Sequence, residues 1–91
     1  MSLDIRWTNK FKKDYSHCKD RGLDMNLLNN VIKILSETGT LPEEYKDHKL
    51  TGQWEGFREC HIKSDWLLIY TIQNNLLILT LARTVFHSNL F

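Results

Sequence analysis

The sequence predicts an α+β domain in which a helical hairpin is packed on one face of a mostly antiparallel sheet. Three observations point there: an alternating segment at residues 3–8, two helical-period stripes between residues 9 and 39, and three strand-period runs after residue 56. The predicted order is β-α-α-β-β-β.

Leu3, Ile5 and Trp7 alternate with Asp4, Arg6 and Thr8, which predicts a first strand with one buried face. Thr8 or Asn9 is placed to cap the helix that follows. Phe11, Tyr15 and Cys18 recur at i, i+4 and i+7, the lysines around them face elsewhere, and Gly22 supplies a left-handed stop. Asp24 is an N-cap for a second helix, whose Leu27, Leu28, Val31, Ile32 and Leu35 form an apolar stripe that ends at Gly39. Residues 40–53 hold the only proline, Pro42, and read as an irregular loop with at most one helical turn. After it the period changes. Phe57–Ile62, Trp66–Ile72 and Leu76–Thr84 are apolar or β-branched runs separated by turn residues, and they close the sheet. In the last run Leu77, Leu79, Leu81 and Arg83 share one face, so Arg83 is expected at the end of a buried stripe.

With 91 residues there is room for one domain, residues 1–91, and 42% hydrophobic with 25% charged residues is the composition of an ordinary globule. Cys18 and Cys60 stand far apart without a C-x-x-C pair, so zinc-ribbon and thioredoxin chemistry are excluded and reduced thiols are expected. The first residues lack an apolar signal core, and no apolar run reaches a membrane span, so a cytoplasmic protein is expected. The net charge of +1 hides two unlike halves. Residues 1–33 carry 7 Lys+Arg against 4 Asp+Glu, and residues 34–75 carry 4 against 7. A basic first-helix face can meet RNA phosphates, while so small a net charge is a poor means of capturing free RNA.

Four histidines offer chemistry. His17, among helix lysines, reads as a solvated or capping residue. His48 in the loop, His61 at a strand end and His87 past the last strand can gather at one rim of the sheet, with Asp65, Arg83, Lys46 and Lys49 nearby in sequence. A guanidinium at the end of an apolar stripe needs an anion, either a ligand or a carboxylate such as Asp65 or Glu59. Histidine spacings of 13 and 26 residues lack the helical pattern of zinc sites, and no nucleophile elbow is present. Metal-free RNA cleavage fits better: it needs a base for the 2′-hydroxyl, an acid for the departing 5′-oxygen and a cation for the phosphoryl oxygens. Two imidazoles and an arginine suffice, because imidazole serves in either role near neutral pH.

Three linked motifs then carry a resemblance: Y-K-D-H-x-L-x-G-x-W-x-G-x-R from Tyr45 to Arg58, H-I-x-x-D-W-x-L-I-Y from His61 to Tyr70, and R-T-x-x-H-x-x-L-F from Arg83 to Phe91. Together with the strand-helix-helix beginning, the chain resembles the YafQ branch of the RelE/ParE toxin superfamily. The resemblance implies a RelE-like fold and a type II toxin that acts as a ribosome-dependent, metal-independent endonuclease on mRNA in the ribosomal A site. It implies no cofactor. It carries over His48, His61, Asp65, Arg83, His87 and Phe91 as site residues, with Trp66 beside them. His87 is expected as general acid, His48 or His61 with Asp65 as the base side, and Arg83 as phosphate clamp. Phe91 and Trp66 are expected to bind substrate together with Lys46 and Lys49, Phe91 by stacking on a codon base. The implied partners are the 70S ribosome with its message and a DinJ-like antitoxin, in a heterotetramer, with no operator binding by the toxin alone and no membrane. One departure is Val85, where relatives are expected to carry glycine; valine disfavours positive φ, so the chain leading to His87 is expected to run extended. The competing reading is a toxin-fold protein without nuclease activity, which binds only its antitoxin or, as ParE-like members do, DNA gyrase. The histidine and aspartate set speaks against the gyrase variant.

Overall fold

A computed structural model describes residues 2–86. His87 and Phe91 therefore lie outside the described residues. The elements are β1 (Asp4–Trp7), α1 (Asn9–Asp20), α2 (Met25–Thr38), β2 (His48–Lys49), β3 (Arg58–His61), β4 (Trp66–Gln73) and β5 (Ile78–Phe86). The five strands form one sheet in the order β1-β5-β4-β3-β2, antiparallel except for the β1–β5 pair.

The helices start and stop where side chains satisfy their end groups. The Thr8 hydroxyl accepts from the Phe11 N–H at 3.0 Å, and Asp24 accepts from the Asn26 N–H at 3.1 Å. At the other end of α2, Gly39 takes φ 75° and returns its N–H to the Leu35 carbonyl at 2.8 Å, a conformation that side chains resist. Phe11 and Cys18 of α1 and Leu28, Val31, Ile32 and Leu35 of α2 are buried against Cys60, Trp66, Leu68, Tyr70, Leu79 and Leu81 of the sheet. This is the core. Among the described residues no helix is long and apolar enough to cross a membrane.

Four features differ from the sequence expectation. All four β1 residues are exposed, with Ile5 and Trp7 each at 39%, because β1 is an edge strand; Trp7 instead packs edge-on against the Phe11 ring, 4.9 Å between centroids. Residues 40–53 contain two 3₁₀ turns, Glu43–Tyr45 and Gly52–Trp54, and between them β2, which adds a strand to the expected sheet. Pairing with β3, His48 opposite Glu59 and Lys49 opposite Arg58, brings the loop histidine onto the sheet.

The third difference is a β-bulge. Leu81 pairs with Tyr70 but Arg83 pairs with Ile69, so Ala82 is an extra residue on β5. The inserted residue breaks the alternation that placed Arg83 with Leu79 and Leu81. Arg83 follows Ile69 onto the opposite face instead. The fourth concerns Trp66, expected to bind substrate. It is 2% exposed, belongs to the helix-side core, and donates its indole N–H to the Thr84 hydroxyl at 2.9 Å. The Thr84 hydroxyl passes its own proton to the Leu67 carbonyl at 2.9 Å, and the Phe86 ring stacks on Trp66 at 6.4 Å. Trp66 is thus a wall of the core. Val85 does run extended, opposite Leu67 in β5.

Candidate active site

Residues directly opposed across neighbouring strands share a face of the sheet. Away from the helices, the register therefore lines up His48, Glu59, Ile69 and Arg83 in one row, from β2 to β5, and His61, Leu67 and Val85 in the next. Leu67 and Ile69 have no exposed surface, so an apolar floor separates a histidine end from an arginine end. At about 4.8 Å per strand spacing, the His48 and Arg83 backbones stand roughly 14 Å apart.

The histidine end is built by backbone carbonyls. Lys46 takes φ 51°, which turns its carbonyl to within 2.8 Å of His48 Nδ1, and the Ser64 carbonyl lies 3.0 Å from His61 Nδ1. A carbonyl only accepts, so each hydrogen bond places the proton on Nδ1 and leaves Nε2 as the accepting nitrogen of the ring. The two rings lie 6.3 Å apart, tilted by 40°. His48 Nε2 faces Glu59 Oε1 at 3.4 Å. Glu59 is 5% exposed, and its Oε2 has no hydrogen-bond partner among the described residues.

The arginine end is built by α1. β1 ends opposite Leu81, and α1 takes over the open edge of β5 from there: the Thr8 hydroxyl donates to the Ala82 carbonyl at 3.0 Å. Asp14 then accepts from Arg83 Nε at 2.6 Å, from Arg83 Nη2 at 3.1 Å and from the Thr84 N–H at 3.2 Å. This carboxylate holds the guanidinium above its ordinary range, against the opposing pull of burial. On the helix side a second pair, Arg58 and Asp47, is joined by the Tyr70 hydroxyl, which donates to Asp47 at 2.6 Å. Burial first, and then this bond to a carboxylate, pushes the Tyr70 hydroxyl up from its usual value.

Of the residues expected at the site, the structure brings together His48 and His61, and Lys46 joins Tyr45, His61 and Lys63 around a cleft of about 300 Å³. Lys49 is separated from them: its register partner is Arg58, on the other side of β2, where it borders a different hollow of about 740 Å³. Asp65, expected on the base side, is exposed in the turn after His61, and the carbonyl that meets the His61 ring is that of Ser64. Arg83 does meet an acid, but that acid is Asp14 and neither Asp65 nor Glu59. Two placements were missed: Glu59, expected only as a partner for Arg83, lies against His48, and Asp14 lies against Arg83. Glu59 was available from the alternation in Arg58–His61, where positions 59 and 61 share a face; Asp14, 69 residues from Arg83, left no local signal. Among the described residues no three His, Cys, Asp or Glu side chains gather to hold a metal ion.

Residues 3–91 match the family model described as the bacterial toxin of type II toxin–antitoxin system, YafQ. The mRNA interferase toxin YafQ of Escherichia coli K12 is 39% identical over 89 residues, covering 97% of this chain and 95% of that relative. The crystal structure of YafQ from E. coli BL21(DE3) superposes with a TM-score of 0.90 at 37% identity, covering 98% of each chain. The toxin in the crystal structure of the E. coli DinJ–YafQ toxin–antitoxin complex gives 0.89 at 36% identity, over 100% of this chain and 99% of that one. The register, the helical hairpin and the matched length agree: the chain belongs to the YafQ family of bacterial type II toxins.

Proposed function

We propose that this toxin is a ribosome-dependent, metal-independent endoribonuclease that cuts mRNA in the ribosomal A site and so stops translation. The observation that carries the reading is the imidazole pair on one sheet face, each Nδ1 fixed on a backbone carbonyl, with a buried carboxylate against one of them. Fixing Nδ1 leaves His61 Nε2 to take the proton from a 2′-hydroxyl. His48, the other imidazole of the pair, stands with its ring 6.3 Å from that of His61 as the second acid–base group beside the scissile phosphate. Arg83 contributes charge from the far end of the apolar floor, and His87 is assigned the protonation of the departing 5′-oxygen. Lys46 and Lys63 at the cleft beside His61 draw the phosphate backbone in. No cofactor enters this scheme.

The mRNA interferase name of the E. coli relative and the DinJ–YafQ complex support two further parts of the reading. The substrate is message, and the neutralising partner is a DinJ-like antitoxin. With a net charge of +1 the toxin depends on the ribosome to present its substrate.

The test is purified toxin with a defined message, with and without 70S ribosomes. Cuts at discrete codons in the programmed ribosome and an intact free message are expected. Cutting of free RNA at the same rate removes the ribosome from the mechanism. An intact message in both arms, with loss of DNA supercoiling activity when the toxin meets gyrase, replaces the reading with a ParE-like one.

A further inference from the structure

Asp14 lies in the middle of α1, far in sequence from every residue assigned to the site, yet it makes three bonds to β5. Its position explains why. β1 stops opposite Leu81, so beyond that point the outer edge of β5 has no strand partner among the described residues. The bulge at Ala82 turns Arg83 to the site face at this unpaired edge. Asp14 receives the Thr84 N–H that a longer β1 would have taken, and it receives two of the five N–H donors of Arg83.

We infer that Asp14 is a positioning residue for the cleavage reaction: it holds the Arg83 guanidinium at the end of the apolar floor, in the orientation in which its remaining donors meet an RNA phosphate. The inference rests on the proposed nuclease reading. A guanidinium on a flexible stem loses rotamer freedom when it grips an anion, and a carboxylate that holds Nε and Nη2 removes that freedom before substrate arrives. The 2.6 Å bond and the low exposure of both partners make this an oriented pair, unlike the exposed Arg6–Asp4 contact at 3.6 Å. The α1 helix is thereby part of the catalytic apparatus without touching substrate.

The experiment measures kcat and KM for message cleavage on programmed ribosomes, with thermal midpoint and antitoxin binding as checks of the fold. Asp14→Asn keeps the shape and an acceptor for the Thr84 N–H, and removes the charge that grips Arg83. It is expected to lower kcat by about 10–100-fold with KM changed less than about threefold, because misplaced charge stabilisation acts on the transition state. Asp14→Glu, which keeps the charge, is expected to retain at least about a tenth of the wild-type kcat. In an Arg83→Ala background, Asp14→Asn is expected to cost less than about twofold more, since Asp14 acts only through Arg83. A folded Asp14→Asn variant that cuts at the wild-type rate overturns the inference, as do multiplying effects in the double variant or a folded Asp14→Glu as slow as Asp14→Asn. If wild type cuts and Arg83→Ala cuts measurably but more slowly, the nuclease reading stands whichever way Asp14 falls. A wild-type toxin that leaves the message whole overturns both.

Discussion

Replacing His61 by alanine lowers the rate of message cleavage by about 10²–10⁴-fold, the usual contribution of a positioned general base, and leaves the fold intact. The ring is only partly buried and its Nδ1–H donates to an accessible carbonyl in a turn, so little packing is lost with it. Thermal midpoint and antitoxin binding should match wild type. Asp65→Ala serves as the contrast, with a loss of less than about tenfold, because the Ser64 carbonyl and not the Asp65 carboxylate orients the imidazole. The comparison reads directly in single-turnover cleavage of a ribosome-bound message. A folded His61→Ala variant that cuts at the wild-type rate moves the base elsewhere, and equal losses in the two variants return Asp65 to the base side.

Trp66→Ala has the largest effect on stability, about 3–5 kcal/mol, the range for removing a fully buried aromatic residue. For a domain of this size the melting midpoint then falls by more than about 10 °C. Trp66→Phe keeps most of the volume and loses the indole N–H bond to Thr84, at a cost of about 1–2 kcal/mol. The Thr84 hydroxyl keeps its acceptor, the Leu67 carbonyl, and so does not become an unpaired donor. Circular dichroism melts of the two variants separate this account from a substrate-stacking role. A Trp66 that stacks on RNA bases loses cleavage in both variants at an unchanged melting midpoint; a core Trp66 loses stability first.

How well the sequence speaks depends on whether a residue leaves a repeating signal. The caps at Thr8 and Asp24, the left-handed Gly22 and Gly39 and both amphipathic helices were readable because each helix is long enough to show its period, and β3, β4 and β5 because apolar or β-branched runs stand between turn residues. β2 was not, since two residues cannot display alternation, and with it went the pairing that sets His48 against Glu59. The alternation in β1 told its two faces apart but carried nothing about which was covered. β4 is apolar on both faces over Trp66–Tyr70, so no period distinguished Trp66, facing the helices, from Leu67 and Ile69 on the floor. The bulge left no mark either: alanine, not glycine, is the inserted residue, and one residue was enough to move Arg83 across the sheet.

The acid–base scheme makes a chemical statement that the end groups of the cut message record. When His61 activates the 2′-hydroxyl, that oxygen attacks the adjacent phosphorus and the 5′-oxygen leaves with a proton, so the upstream fragment ends in a 2′,3′-cyclic phosphate and the downstream fragment begins with a 5′-hydroxyl. Fragments from a ribosome-bound message, separated and tested for ligation and for labelling by a polynucleotide kinase, reveal both ends. The 5′-hydroxyl and cyclic phosphate are predicted. A 5′-phosphate with a 3′-hydroxyl would contradict the imidazole mechanism, because that product requires an activated water in place of the 2′-hydroxyl.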